Sequence, residues 1–592
     1  MTKTIPLARY LFTRLRQLGC HSIHGVPGDF FLRALDHVRP SGLNWIGNAS
    51  ELCAGYAADG YARAGQHVTA RRTGKGPRLG ALFTTYGVGE LSAINAVAGS
   101  YAESIPVVHF VGTPSRKAWQ TASAKRPIHH TLADSMIGMN AYCAMAENVT
   151  CASVYFHQYE KVERALSSYD THLTGAVRFS KPVYVSIPSD YVEAPVPLEL
   201  LNKPLPWPSD PRPDREEIVH PIVDRIHERV RAAQRPLLIV DGLCYPFDFI
   251  KEANELSMML PTAGFTAGKG VIDESNPNWL GTLSAPIDYQ PDLLILLGPM
   301  LSDTNTATWT AVPEAKSVVK IGLESVEIDD EMDGFVSGKA VLSKLVAELQ
   351  RVPGVVGQAP QVALGRPQGP SGIPQRQAPK LTTHNSITQD SFWAAMTGFL
   401  ASNDTVLLAN GTPLIVGGDL ELGAQTQVIA SSIWCSIGQM LPAAQGVAAA
   451  KRDHKLPGRT ILFEGDGSFQ VTCQALSDII RYKLDVTIFI VNNAGYTYER
   501  WLNGMEAEYN DVPAWKYTEA AKFFGGGESD PAYTVNSIKV AQWSELQGVL
   551  KDGKFTNGKG LKVIEVVMEP SDVPQKAKAG LKRASEALRA SS

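Results

Sequence analysis

The chain has 592 residues, 44% of them hydrophobic and 19% charged, with a net charge of −4 at neutral pH. That length suits about three or four domains with large cores, and the near-balanced charge excludes the basic footprint that nucleic acid or an anionic membrane requires. Cys20, Cys53, Cys143, Cys151, Cys244, Cys435 and Cys473 are scattered without a CxxC pair, which fits free, buried thiols in a reducing compartment. The N-terminal residues lack a signal-peptide apolar core and no uninterrupted apolar span could cross a bilayer, so the expected location is cytoplasmic.

In chain order, hydrophobic patterning divides the sequence into three α/β blocks. The first, 1–192, has strand patterns at 82–85, 107–111 and 183–187 that alternate with helical ones. Residues 193–213 carry Pro195, Pro197, Pro204, Pro206, Pro208, Pro211 and Pro213 and read as an extended linker. The middle block, 214–351, has strand patterns at 236–240, 293–297 and 318–321, and a second linker rich in Gly, Pro and Gln covers 352–383. The third block, 384–592, has strand patterns at 406–409, 461–464 and 486–491. Each block reads as a doubly wound parallel sheet.

Strand 461–464 runs into Gly465-Asp466-Gly467-Ser468, and strand 486–491 runs into Asn492-Asn493. Between them Val471, Ala475, Leu476, Ile479 and Ile480 stand at helical spacing, which predicts one helix over 469–482. A right-handed crossover makes the two strands parallel neighbours, so both turns lie at one carboxyl edge of a sheet. Asp466 and Asn493 offer hard oxygens that suit Mg²⁺, while Gly465 and Gly467 let the backbone and a helix N-terminus approach a phosphate. Alone, Gly-Asp-Gly is commonly a plain turn.

With Asn493 standing 27 positions after Asp466, the pair resembles the thiamin-diphosphate signature. The resemblance implies Asp466 and Asn493 as side-chain ligands of Mg²⁺, with the carbonyl of Gly495 as a third. It further implies Gly411, Thr412, Gly465, Gly467, Ser468, Asn493 and Tyr496 as contacts of the cofactor. The whole chain is similar in plan to the thiamin-diphosphate-dependent 2-oxo acid decarboxylases of the pyruvate and indolepyruvate type, with pyrimidine-binding, middle and diphosphate-binding domains.

Segment 47–63, Asn48-Ala-Ser-Glu51 and a small-residue helix, resembles the family's helix bearing the glutamate that hydrogen-bonds the pyrimidine N1′ and thereby activates the cofactor. Burial of Glu51 would favour proton sharing there. Read locally, Asn48 and Glu51 also make a capping-box pattern. In 431–446 the family pattern places Ile437 under the bend of the cofactor and offers the Cys435 carbonyl to its 4′-amino group. Asp29, the His129-His130 pair and Glu499 resemble the family's proton-handling residues. Singly these read as a turn aspartate, loop histidines and a solvated helix residue, and adjacent histidines in an extended chain point apart, which makes a poor metal pair.

The chain departs from the pyruvate enzymes near the substrate. Thr304 stands for their Phe, Ala409-Asn410-Gly411-Thr412-Pro413-Leu414 for their Glu-Thr-Gly-Thr-x-Ala, and Tyr498 for their Ile, while Leu502 keeps an aliphatic. These exchanges reshape the pocket, and the expected substrate is a 2-oxo acid larger or more specialised than pyruvate. One methylene changes discrimination by only about 1–3 kcal/mol, so they do not name it. Two other readings stand beside decarboxylation: carboligation to acyloins, and a non-catalytic regulatory subunit. The family also implies a homodimer or homotetramer with shared active sites. A dinucleotide fingerprint at 85–92 lacks its third glycine, and the basic loop 69–78 receives no role.

Overall fold

The computed structural model describes residues 3–121, 127–132, 138, 140–159, 162–205, 216–351, 385–527 and 532–591. The chain forms two compact units. One holds the first block together with two pieces of the third, Leu441–Leu456 and Thr472–Leu484, and the other holds the middle block and the rest of the third.

In the first unit six parallel strands run in the order Asn44–Gly47, Ser22–Gly25, Gly80–Thr85, Val107–Thr113, Val183–Pro188 and Ala152–Tyr155. The central strands Gly80–Thr85, Val107–Thr113 and Val183–Pro188 are buried along their whole length, as a sheet covered on both faces requires. Helix Glu51–Ala64 lays Ala54, Ala58 and Ala62 against Ala93 and Val97. Its small residues serve close approach: a Cβ on Gly60 would lie 2.1 Å from the Ala443 carbonyl oxygen.

Several expectations are corrected here. The cap of that helix is Ser50, whose hydroxyl accepts the Cys53 N–H, so the capping-box reading of Asn48 and Glu51 fails. Asn48 is instead engaged in tertiary bonds: its Oδ1 accepts from Gly25 N, and its Nδ2 donates to Gln445 Oε1 and Asp478 Oδ2. The basic segment begins as a helix, Val68–Thr73, stopped by left-handed Gly74. Part of the first linker is ordered, since Pro195–Pro197 pairs antiparallel with Thr4–Pro6 and buried Arg14 donates to the carbonyls of Leu200 and Lys203. The remainder of that linker from residue 206, and the whole of 352–383, lie outside the described residues.

In the second unit the middle sheet has seven strands in the order Trp279–Thr282, Thr262–Gly264, Pro236–Val240, Leu293–Leu297, Ser317–Ile321, Ser325–Ile328 and Glu331–Gly334. It is mixed rather than all parallel, because the last two strands join antiparallel as a meander. The third block gives a six-stranded parallel sheet in the order Gln427–Ala430, Thr405–Leu408, Thr460–Gly465, Val486–Asn492, Leu561–Val567 and Val535–Val540. Ile461, Phe463 and Phe489 face a core with Phe392 and Trp393, so the period of two sends Leu462 and Glu464 to the opposite face. The helix expected over 469–482 is two, Asp466–Thr472 and Ala475–Arg481, broken at Cys473 and Gln474.

All seven cysteines are free. Among the described residues no helix is long and apolar enough to cross a membrane.

Candidate active site

Strands Thr460–Gly465 and Val486–Asn492 are parallel neighbours, with Gly465 opposite Val491, so their carboxyl ends meet as the spacing predicts. Asp466 Oδ1 accepts from Gly467 N at 2.7 Å, and its Oδ2 accepts from Asn493 N at 3.1 Å and Gly495 N at 3.0 Å. Burial raises this carboxyl to about 6, and the surrounding backbone N–H groups hold it from going higher. Asn493 Nδ2 donates to Thr497 Oγ1, which leaves Oδ1 as the end of the amide available to a cation. The Gly495 carbonyl accepts from Thr497 N and keeps a second lone pair. Gly495 needs its missing side chain, since its φ is 139° and a Cβ would meet the Asn510 carbonyl oxygen at 2.1 Å. Asp466 Oδ2 thus ties the Asn493 and Gly495 backbone to the Asp466 turn, which brings together the three residues that offer hard oxygens to a divalent cation.

The surroundings fit a phosphorylated cofactor. A Cβ at Gly465 or Gly411 would stand in open space, whereas one at Gly467 would strike the Tyr496 ring. Ser468 Oγ accepts from Gly438 N at 2.9 Å, which joins the turn after Asp466 to the segment carrying Ile437. Ile437 is 39% exposed, a bulky aliphatic that presents apolar surface beside this turn. Cys435 has φ 50° and donates its N–H to Ser431 Oγ, and Asn410 Nδ2 donates to the Ser436 carbonyl at 2.7 Å. Gly411 precedes helix Thr412–Val416, and Thr412 is buried.

Thr304 is exposed in the middle-block loop that Ser302 ties to the Ser432 carbonyl. Leu414 is buried in the aromatic core of the third block. Tyr498 and Leu502 pack with Leu581 of the C-terminal helix Gln575–Ser591, and the Tyr498 hydroxyl is buried without a hydrogen-bond partner. Glu499, on helix Thr497–Leu502, is exposed.

In the first unit Glu51 opens its helix half-buried, and Gly89 passes so close that a Cβ there would lie 3.2 Å from Glu51 Oε1. Asp29 Oδ2 and His129 Nε2 are 2.9 Å apart, with Phe30 stacked on the His129 ring. The expectation that the adjacent histidines point apart is overturned. His130 has φ 68°, which turns its ring back to 4.6 Å from that of His129, and one polar atom from each of Asp29, His129 and His130 lies within 4.8 Å of the other two. The hydroxyls of Tyr86 and Tyr142 donate to the carbonyls of His129 and His130 and fix the turn.

Two carboxyls here escaped the sequence reading. Glu90 accepts from Gly87 N and from the Tyr184 hydroxyl, is pushed up to about 7 by burial, and braces the turn beneath His130. A Cβ on Gly87 would lie 2.7 Å from the His130 carbonyl oxygen. The capping spacing of Gly87 and Glu90 was the available signal. Glu464 is fully buried beside the Asp466 turn, and burial pushes it up to about 8 with only the Ser468 side chain opposing the shift. Its place at the end of an otherwise apolar strand was the signal.

Three segments match enzyme-family models: the N-terminal thiamine pyrophosphate-binding domain over residues 5–136, the central domain over 223–344 and the C-terminal thiamine pyrophosphate-binding domain over 417–566. The chain is 38% identical to a pyruvate decarboxylase of Aspergillus parasiticus, with 97% of this chain and 96% of that one covered. It is 33% identical to one from Aspergillus fumigatus, covering 98% and 96%, and 31% identical to pyruvate decarboxylase isozyme 1 of Saccharomyces cerevisiae, covering 96% and 97%. With this likeness along its length and the Asp466 and Asn493 turns meeting at one sheet edge, the chain belongs to the thiamin-diphosphate-dependent 2-oxo acid decarboxylases, which use that cofactor with a divalent metal ion.

Proposed function

We propose that this decarboxylase converts a 2-oxo acid larger or more specialised than pyruvate to an aldehyde and CO₂. The observation that carries the substrate reading is Thr304, small and exposed on a loop tied to the cofactor-bend segment. When bound, thiamin diphosphate would supply a carbon nucleophile for the 2-oxo carbonyl and a cationic ring that accepts the electron pair left by CO₂. Asp466, Asn493 and the Gly495 carbonyl would hold Mg²⁺, Gly467 and Ser468 would take the diphosphate, and Ile437 would pack against the cofactor's rings. Glu51 hydrogen-bonds the pyrimidine nitrogen and exchanges a proton there. Asp29 and His129 share a proton across their 2.9 Å contact, and with His130 and Glu499 they deliver it to the product carbon. That proton supply favours aldehyde release over carboligation.

Three domains, 1–192, 214–351 and 384–592, serve these roles, and the working form is a homodimer or homotetramer in which Glu51 of one copy serves cofactor held by another. Half-exposure of Glu51 in the single chain supports a site completed by a second copy. Free thiols support a cytoplasmic location.

The test is a panel of 2-oxo acids with thiamin diphosphate and Mg²⁺, reading aldehyde and acyloin together. Highest kcat/KM with a longer or branched acid is expected. Pyruvate as by far the best substrate would reject the substrate reading, and acyloin as the main product would reject the outcome.

A further inference from the structure

A cavity of about 500 Å³ opens beside Asn44–Gly47, the edge strand of the first sheet. Arg39, Arg452 and Arg481 line it together with the rings of Trp45 and Tyr482, and no carboxylate is among its lining residues. Arg452 is partly neutralised, because its Nε and Nη2 donate to Asp453 Oδ1 while its Nη1 donates to the Tyr482 carbonyl. Among the described residues Arg39 forms no ion pair, and Arg481 influences Asp478 only through space while its guanidinium lies 5.6 Å from the Tyr482 ring centroid.

Three arginines on a helical surface are ordinarily a solvated face. Here they converge on a concavity, where low-dielectric walls focus their field on whatever enters. Guanidinium forks match phosphate oxygens two at a time, and the indole and phenol offer faces on which a planar ring can stack. The volume falls in the range of small-molecule sites. We propose that this cavity binds a nucleoside phosphate, with the phosphates on Arg39 and Arg481 and the base against Trp45 and Tyr482. The site has a route to the chemistry: the Tyr482 hydroxyl accepts the Gly47 N–H at 2.7 Å, and Gly47 ends the strand that leads to Glu51.

The experiment uses holoenzyme saturated with thiamin diphosphate and Mg²⁺, so that the cofactor's own phosphate cradle is filled. Fluorescence anisotropy of N-methylanthraniloyl-ADP should show one saturable site per chain. Arg39→Glu and Arg481→Glu should each weaken binding at least about tenfold, with thermal midpoint and basal decarboxylation unchanged because neither side chain belongs to the catalytic set. In competition, ADP should outdo both adenosine and pyrophosphate. Lack of saturable binding up to about 1 mM, affinity indifferent to both charge reversals, or pyrophosphate matching ADP would each overturn the assignment. None of these readouts depends on which 2-oxo acid the enzyme prefers.

Discussion

Glu464 and Asp466 stand two residues apart at the end of one strand, and burial raises both carboxyls. Asp466 is met by the N–H groups of Gly467, Asn493 and Gly495, whereas only the Ser468 side chain tempers the charge of buried Glu464. The folded protein therefore keeps the Glu464 proton up to about pH 8, while the unfolded chain loses it near 4.5. Across that window the folded state binds more protons, so this contribution to stability is full below the unfolded value and is lost as pH rises through the folded one. Glu464→Gln keeps the shape and removes the titration. Its thermal midpoint should fall less than that of the wild type between about pH 5 and about pH 8, and parallel curves by calorimetry would refute the account. For the chemistry, Glu51→Gln should lower kcat by roughly a hundredfold, about 2.7 kcal/mol, whereas Asp29→Ala or Glu499→Gln should spare CO₂ release and stall aldehyde release. Single-turnover measurement of both products separates the two behaviours, and an unchanged Glu51→Gln rate removes that residue from its role.

At the scale of elements, the Glu51 helix depends on Ser50. Ser50→Ala removes the acceptor for the Cys53 N–H and should cost about 1 kcal/mol, read as a lower urea midpoint of the apo protein; an unmoved midpoint would mean that water replaces the cap. The local pattern named Asn48 instead, and it failed because Gln445 and Asp478, hundreds of residues away, claim that side chain. Buried strands such as Leu293–Leu297 and Val486–Asn492 were legible as apolar runs. Ser22–Gly25 and Asn44–Gly47 were not, since His24, Gly25, Asn44 and Gly47 give no strand signal and only pairing along the sheet makes them strands. The Asp466 and Asn493 pairing was legible because strand, crossover and strand leave one arrangement. The histidine pair was misjudged because a left-handed residue at His130 is chosen by tyrosine bonds to its carbonyls, which spacing does not encode.

At the scale of the whole molecule, sharing of sites between copies makes a sharp prediction. Glu51→Gln and Asp466→Ala should each be nearly inactive alone, yet random mixing by coexpression places both lesions in one site of a hybrid dimer and leaves the other intact. Activity should return to roughly a quarter of wild type. No recovery, with hybrids verified by mass, would place the whole site within one chain.

The close meeting of Ala57 and Gly60 with Ala443 and Gly446 also bears on biosynthesis. One side of the first block's helix, Ala54, Ala58 and Ala62, meets Ala93 and Val97 of its own block, but the side carrying Ala57 and Gly60 has its seat on a helix translated hundreds of residues later, so as the N-terminal region leaves the ribosome that side has nothing to settle against. Domains usually fold in order of synthesis; this one completes its packing only when Leu441–Leu456 and Thr472–Leu484 have been made. A fragment ending near residue 192 should accordingly be a client for chaperones rather than a free-standing domain.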